Sequence, residues 1–261
     1  PDVNRAERSM QRLDFELDKA QVKRAWGVID REFQSLGLVL RRGSDFDLVE
    51  KMAAESGFPP LEGHFTPTLN TYTPSQAFWP ALTDQDGQMV GRVCARFDRM
   101  EYPMTLTDFW RKYFHRCYPN AVGGQVVLVE DQPRVGRRIT GDVVYLGGTY
   151  VARDWRRHKL GGLLNQLAQI EALHDWGAGF YYGWIQGHTF LDGFWRECGF
   201  TRCSHHALRW AEPLPGTLDA NLIFAGNSVD DVCDLIDRVA RGFPAIPSDR
   251  IFSQSPSGSQ T

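Results

Sequence analysis

Apolar positions along the chain recur with two periods, one of about 3.6 residues and one of 2, and the two alternate. Residues Asp2 to Phe33 carry Val22, Trp26 and Ile29 at helical spacing. Leu38-Val39-Leu40 predicts a short strand. Ser44 and Asp47 stand three apart ahead of Leu48, Val49 and Met52, which resembles a capping box opening a helix. Gly57, Pro59 and Pro60 end that helix, and Gly63 to Pro74 is a Thr- and Pro-rich loop. "AFWPALTDQDGQMVGRVCARF" predicts a hairpin around Asp84-Gln85-Asp86-Gly87. Asp98 to Gly141 is a long connection holding a predicted helix, "LTDFWRKYF", and a predicted short strand, "QVVLV".

From Asp142 the pattern is denser. "DVVYLGGTYV" predicts a strand, followed by a helix with Leu160, Leu163, Leu164, Leu167, Ile170 and Leu173 in period and Gly177 and Gly179 as a stop. "FYYGWI" is a second strand and "LDGFWREC" a second helix. A last strand runs from Gly199-Phe200 through "HHALRW". After Pro213, "VDDVCDLIDRVA" predicts an amphipathic helix, and "SQSPSGSQT" has the composition of a disordered tail. Strands alternating with helices define an α/β class.

Composition narrows the function classes. The chain has 261 residues, enough for one large domain or two small ones. Its net charge of −3 gives no overall attraction for nucleic acid or an anionic membrane, so neither is an expected partner. No apolar run approaches the roughly 18 residues that span a bilayer, and the first residues are polar and mixed in charge, unlike a secretory signal. Cys94, Cys117, Cys198, Cys203 and Cys233 lack the paired spacing of a zinc site. They predict reduced thiols, no metal and a cytoplasmic location.

The densest chemistry is "RDWRRHKLGGLL", Arg153 to Leu164. A strand ending in a basic, glycine-containing loop that opens a helix brings backbone N–H groups and a helix N-terminus to one point, as phosphate binding requires. The Walker pattern and the dinucleotide glycine fingerprint are both absent. The alternative is a basic first turn of a surface helix, its glycines serving packing. Cations at a helix N-terminus oppose the dipole, so something negative should compensate them.

These residues resemble the GNAT superfamily of N-acetyltransferases. Its signature is a strand, then R/Q-x-x-G-x-G/A, then a helix; Arg156, Lys159 and Gly161 stand at the three positions, with Lys159 replacing the first glycine. "FLDGFWRECGF" resembles the family's later helix and Gly-Phe ending, and "LVLRRGSDFDLVEKM" and the hairpin resemble its first elements. The resemblance covers about Leu38 to Trp210. It implies a GNAT fold: a mixed central sheet flanked by helices, here with an N-terminal helical extension (1–36), an acyltransferase domain (37–212, with 98–141 as an insert) and a C-terminal helix and flexible tail (213–261). It implies that the strand ending at Val151 and "FYYGWI" splay apart around acetyl-CoA or another acyl-CoA. Thr149, Val151, Arg156, Arg157, His158, Lys159, Leu160, Gly161, Gly162 and Trp195 are the implied cofactor-binding positions. An amine of a small molecule or peptide would attack the acyl carbonyl, polarised by a backbone N–H near Val151, directly and without metal.

Acid and base are less evident. The family's tyrosine donor falls on Trp195, whose indole cannot serve, and its carboxylate base falls on Tyr145, a poor base that reads more readily as a strand aromatic filling the core. His188, after the second strand, is the other catalytic candidate, against a solvated loop histidine. His205 and His206 alternate on the last strand, and Cys198 is better placed as a buried thiol. Phe180, Tyr182 and Trp184 share a strand face that serves as core or as the wall of an aromatic acceptor pocket. In the insert, Phe109, Tyr113 and Phe114 form an apolar face that packs on its own sheet, roofs the acceptor cleft, or makes a homodimer contact. A non-catalytic acyl-CoA sensor or scaffold and an enzyme using another acyl donor on this fold are the competing functions.

Overall fold

The computed structural model describes residues 17–114, 117, 128–211 and 222–242. Expectations for residues 2–16, most of "QVVLV" and the tail from 243 lie outside the described residues. Helix α1 (Lys19–Ser35) starts where the Asp18 carboxylate accepts from the N–H groups of Ala20 and Gln21, and it buries the stripe Val22, Ala25, Ile29 and Phe33. Strand β1 (Val39–Gly43) follows, then α2 (Phe46–Glu55). Asp45 caps α2 by accepting from Leu48 N–H, so the cap lies one residue beyond the Ser44 of the expected box.

Strands β2 (Ala77–Thr83) and β3 (Met89–Thr105) form the expected hairpin, and the Asp84 carboxylate accepts from Asp86 and Gln88 N–H in its turn. Helix α3 (Leu106–Tyr113) opens with a Thr105–Asp108 capping box, and α4 (Arg134–Arg137) precedes β4 (Thr140–Val151). A 3₁₀ turn (Arg153–His158), α5 (Leu160–Trp176), β5 (Phe180–Ile185), α6 (Gly187–Leu191), α7 (Phe194–Glu197), β6 (Arg202–Ser204), β7 (Ile223–Ser228) and α8 (Val229–Ala240) complete the order.

The seven strands form one mixed sheet in the order β1-β2-β3-β4-β5-β7-β6, in which only β4 and β5 run parallel. One face packs against α1, α5 and α8, through residues such as Phe33, Leu82, Leu164, Ile170, Tyr181 and Ile236. The other packs against α2, α3 and the loop between α2 and β2, through Phe65, Trp79, Trp110, Tyr145, Tyr182 and Phe224. This is the expected mixed sheet flanked by helices.

Two expectations about the C-terminal part are corrected. Strand β7 lies between β5 and β6, so the sheet continues past the boundary drawn at 212 and the segment after it is more than a helix and tail. The strand expected through "HHALRW" stops at Ser204, because His206 turns the chain at φ 51°. Asn227 explains why β7 belongs to the core. Its amide donates to Gln169 Oε1 (2.7 Å) and Gly199 O (3.0 Å), and its oxygen accepts from Thr201 N–H (2.8 Å).

Candidate active site

Strands β4 and β5 pair only from Val143–Leu146 to Phe180–Gly183. Beyond that point β4 continues to Val151 and β5 to Ile185 without pairing to each other. The backbone groups of β4 that face β5 here have no ladder partner, which a buried peptide group does not tolerate without another. A cavity of about 290 Å³ fills the wedge, lined by Glu62, Gly147, Thr149, Asn165, Trp184 and Phe194 among others. On the opposite edge of β4 the register against β3 shifts between Arg92 and Cys94, and Gly148 has φ 62°. This bulge re-aims the strand at the wedge.

The basic stretch ends the same wedge. Lys159 adopts the left-handed conformation (φ 56°) and starts α5 with no side-chain cap. The first helical bond in the turn is Leu163 N–H to Lys159 O at 3.2 Å, so the preceding N–H groups of Leu160, Gly161 and Gly162 have no partner within the helix. Arg156, Arg157, His158 and Lys159 are all exposed around them. Arg156 Nε donates to Val151 O (3.3 Å), His158 packs against Trp155, and Lys159 bridges to Glu197 at 3.5 Å. Leu160 is buried, so only its backbone can contribute to a ligand site. Thr149 Oγ1 accepts from Asn165 Nδ2 at 3.1 Å, which ties the bulge to α5.

Both glycines of the turn serve packing. A Cβ on Gly161 would come 3.1 Å from the Phe194 ring, and one on Gly162 would come 2.8 Å from Glu197 O. Gly162 therefore lets α7 pack against the first turn of α5. Gly162→Val is expected to cost about 1–3 kcal/mol, typical of overpacking, because the obstacle is backbone. Urea melts check this; a midpoint equal to wild type would show that α7 yields freely.

The wedge also contains a group the sequence did not single out. Glu62 comes from the loop after α2 and lines the cavity. Glu62 is an exposed residue, open to the cleft, while its carboxyl has protein atoms close around it. That burial raises its pKa above the usual carboxylate value, against the opposing pull of the Arg92 guanidinium and a hydrogen bond from the Gly148 backbone. No sequence motif marks it, since its partners come from β3 and β4.

The other predicted residues distribute as follows. Tyr145 is buried, stacked on Phe65 and 5.2 Å from Tyr182 between ring centroids, which is the core-filling arrangement. Its hydroxyl oxygen lies 2.7 Å from where a Cβ on Gly147 would stand, at the wall of the wedge. Trp195 stacks on Phe190 outside the wedge lining, and the neighbouring Phe194 lines the wedge in its place. His188 is exposed on α6 and is absent from the wedge lining, so the structure does not bring it to the cleft. His205 and His206 are exposed in a turn, not on alternating strand faces. Cys198 is fully buried and its thiol pKa is pushed well up by burial, as for an inert structural thiol.

A second cavity, of about 260 Å³, lies on the face covered by α3. Phe109, Trp110, Tyr113, Phe114, Tyr72 and Tyr182 supply its aromatic walls. The insert helix thus packs on its own sheet and roofs a cavity. Trp110, not Phe109, is its most buried aromatic contact with the sheet. At the cavity edge Arg96 is held by Asp98 through Nε (2.9 and 3.0 Å) and Nη2 (2.8 Å).

No protein-family model matches the chain, and no curated protein matches it significantly. Among solved structures it is similar to Arabidopsis thaliana NAA60 in complex with acetyl-CoA (11% identity, 74% of this chain and 99% of that one, TM-score 0.41). It is also similar to a chimera of the spermidine N-acetyltransferase SpeG from Vibrio cholerae and hSSAT (10%, 76% and 99%, TM-score 0.42). A third is an acetyltransferase of the GNAT family from Streptococcus pneumoniae (11%, 73% and 99%, TM-score 0.39). The mixed sheet, the splayed parallel pair and the basic turn into α5 follow one another in the order expected from the sequence.

Proposed function

We propose that this protein is an acyl-CoA-dependent N-acyltransferase, with acetyl-CoA as donor and a primary amine of a small molecule or peptide as acceptor. The observation that carries the proposal is the wedge between β4 and β5, ending at an uncapped helix N-terminus rimmed by cations. The residues fit the donor. Free N–H groups at Leu160–Gly162, with Arg156 and Arg157 beside them, suit a pyrophosphate. The unpaired β4 edge suits an amide-bearing arm. Acyl-CoA bound in this way supplies the acyl group as a thioester.

The protein's own part is positioning and proton handling. An unpaired backbone N–H of β4 in the wedge would polarise the acyl carbonyl. Glu62, with its raised pKa, would take the proton that the acceptor nitrogen loses as it attacks. Trp195 stands where the resemblance would put a tyrosine donor, and this favours a second reading, an acyl-CoA-binding protein without turnover. Glu62 in the wedge favours the enzyme.

Calorimetric titration with CoA, followed by thiol release from acetyl-CoA over a panel of amines, tests both. Wild type is expected to bind CoA, and Arg156→Ala/Arg157→Ala to bind it about tenfold more weakly, a loss of about 1.4 kcal/mol. Binding without thiol release from any amine would leave the scaffold. Absence of CoA binding would end both readings.

A further inference from the structure

The second cavity carries a finer inference about the acceptor, one that rests on the acyl-transfer proposal. Its walls are dominated by aromatic rings. Trp110 lies 4.9 Å from Trp184 and 5.9 Å from Tyr182 between centroids, and Phe109 lies 4.7 Å from Tyr113. Its volume of about 260 Å³ exceeds the ~150 Å³ cavities that hold benzene, so one substituted ring fits.

Its charges are already matched. The Arg96 guanidinium gives two of its nitrogens to the Asp98 carboxylate, and its third, Nη1, reaches the neutral oxygens His64 O and Tyr72 Oη at 3.5 Å. His64 is buried, and burial together with Arg96 holds its pKa well down, so it adds no charge at neutral pH. A ligand carboxylate would have to compete with Asp98 for Arg96, and a polycation would find one carboxylate that is already engaged. Glu62, the proposed base, belongs to the wedge instead. Sequence neighbours line the two cavities, Tyr182 the second and Gly183 and Trp184 the wedge. Tyr145 has its ring against His64 and Tyr182 on one side and its hydroxyl at Gly147 on the other, and the Trp110–Trp184 contact joins roof to wedge.

We infer that this cavity binds the uncharged aromatic ring of an aryl or arylalkyl amine that lacks a carboxylate, with the amine directed toward the wedge.

The test combines amine binding by calorimetry, without acyl donor, with acetyl transfer rates. The probes are 4-methylaniline, tryptamine, tryptophan and spermidine, on wild type, Phe109→Ala and Tyr113→Ala; both substituted residues are half-exposed, and Trp110 stays in place. The expected result is binding and transfer for the first two amines, with KM for tryptamine raised about tenfold by either substitution and CoA affinity unchanged. Preference for spermidine, or for tryptophan over tryptamine, with normal CoA binding would overturn the inference and leave acyl transfer standing. Aromatic amines that bind and are weakened by Phe109→Ala while CoA fails to bind would sustain the cavity assignment and remove the acyl-transfer proposal. Tryptamine affinity and KM unchanged in both variants would overturn the assignment.

Discussion

Glu62→Gln is expected to lower acyl-transfer turnover by about 10²–10⁴-fold, the usual contribution of a positioned general base, with CoA affinity nearly unchanged. Glutamine keeps the size and can still accept from Gly148 N–H, but it cannot take a proton. The pH dependence follows from the direction of the shift. Burial raises the Glu62 pKa above 4.5, so the active carboxylate is lost as pH falls through that raised value. The acid limb of kcat/KM should therefore lie above the ordinary carboxylate range and vanish in the variant. Stability moves the other way. A carboxyl whose folded pKa is raised contributes stability that is present below its unfolded pKa and lost as pH rises through the folded one. Above that raised value wild type has lost it, and the neutral amide has not. The variant should be no less stable at pH 7.5 by thermal melt, while being far slower. Unchanged turnover would remove Glu62 from the chemistry; a large drop in melting temperature would point to a structural role.

That residue marks where the sequence ceased to be legible. Hairpin β2–β3, helix α5 and strands β4 and β5 are visible as local patterns because each is set by its own periodicity and turn residues. The wedge follows from them, since the basic turn is contiguous in sequence. Glu62 lines the wedge beside Arg92 and Gly148, which β3 and β4 bring to a loop that has no periodicity of its own. Strand β7 was hidden for a related reason. "IFAGNS" is short, with Gly226 and Asn227 where a strand pattern would call for apolar or β-branched residues. Two sheet neighbours and the Gln169 and Thr201 hydrogen bonds to Asn227 make it a strand, and each is a tertiary term. Helix α5 shows the converse. Its leucines announce the helix, but Asn165, Gln166 and Gln169 are buried as well, because their amides meet backbone carbonyls at Gly161, Glu197 and Cys198. Periodicity alone would have placed those amides in solvent. The same limit applied to α7: "FW" offered two aromatics, and only the packing of Phe194 against Gly161 decides which one faces the wedge.

Trp110→Ala is expected to be the most destabilising of the substitutions at the second cavity, by about 3–5 kcal/mol, the range for removing a buried Trp or Phe side chain. Trp110 is 2% exposed, and its ring lies within 6 Å of Trp184, Tyr182 and Phe224 between centroids. Its Nε1 donates to Tyr182 Oη at 3.3 Å, so truncation also removes a partner from a buried phenol. Collapse cannot refill the space cheaply. Helix α3 is pinned at its N-terminus by the Thr105–Asp108 capping box, and Gly136 already sits where a Cβ would come 2.7 Å from the Trp110 ring. The gap would therefore persist and join the neighbouring cavity. Trp110→Phe keeps much of the ring and forfeits the bond to Tyr182, and should cost less than the alanine variant. Phe109→Ala removes a half-exposed ring from the same helix and should cost less again. Urea unfolding of the three variants orders them, with alanine at 110 lowest in midpoint and slope unchanged. If Trp110→Ala lost less than about 1 kcal/mol, well below the range for a buried tryptophan, α3 would be a loosely held cover and not a packed roof.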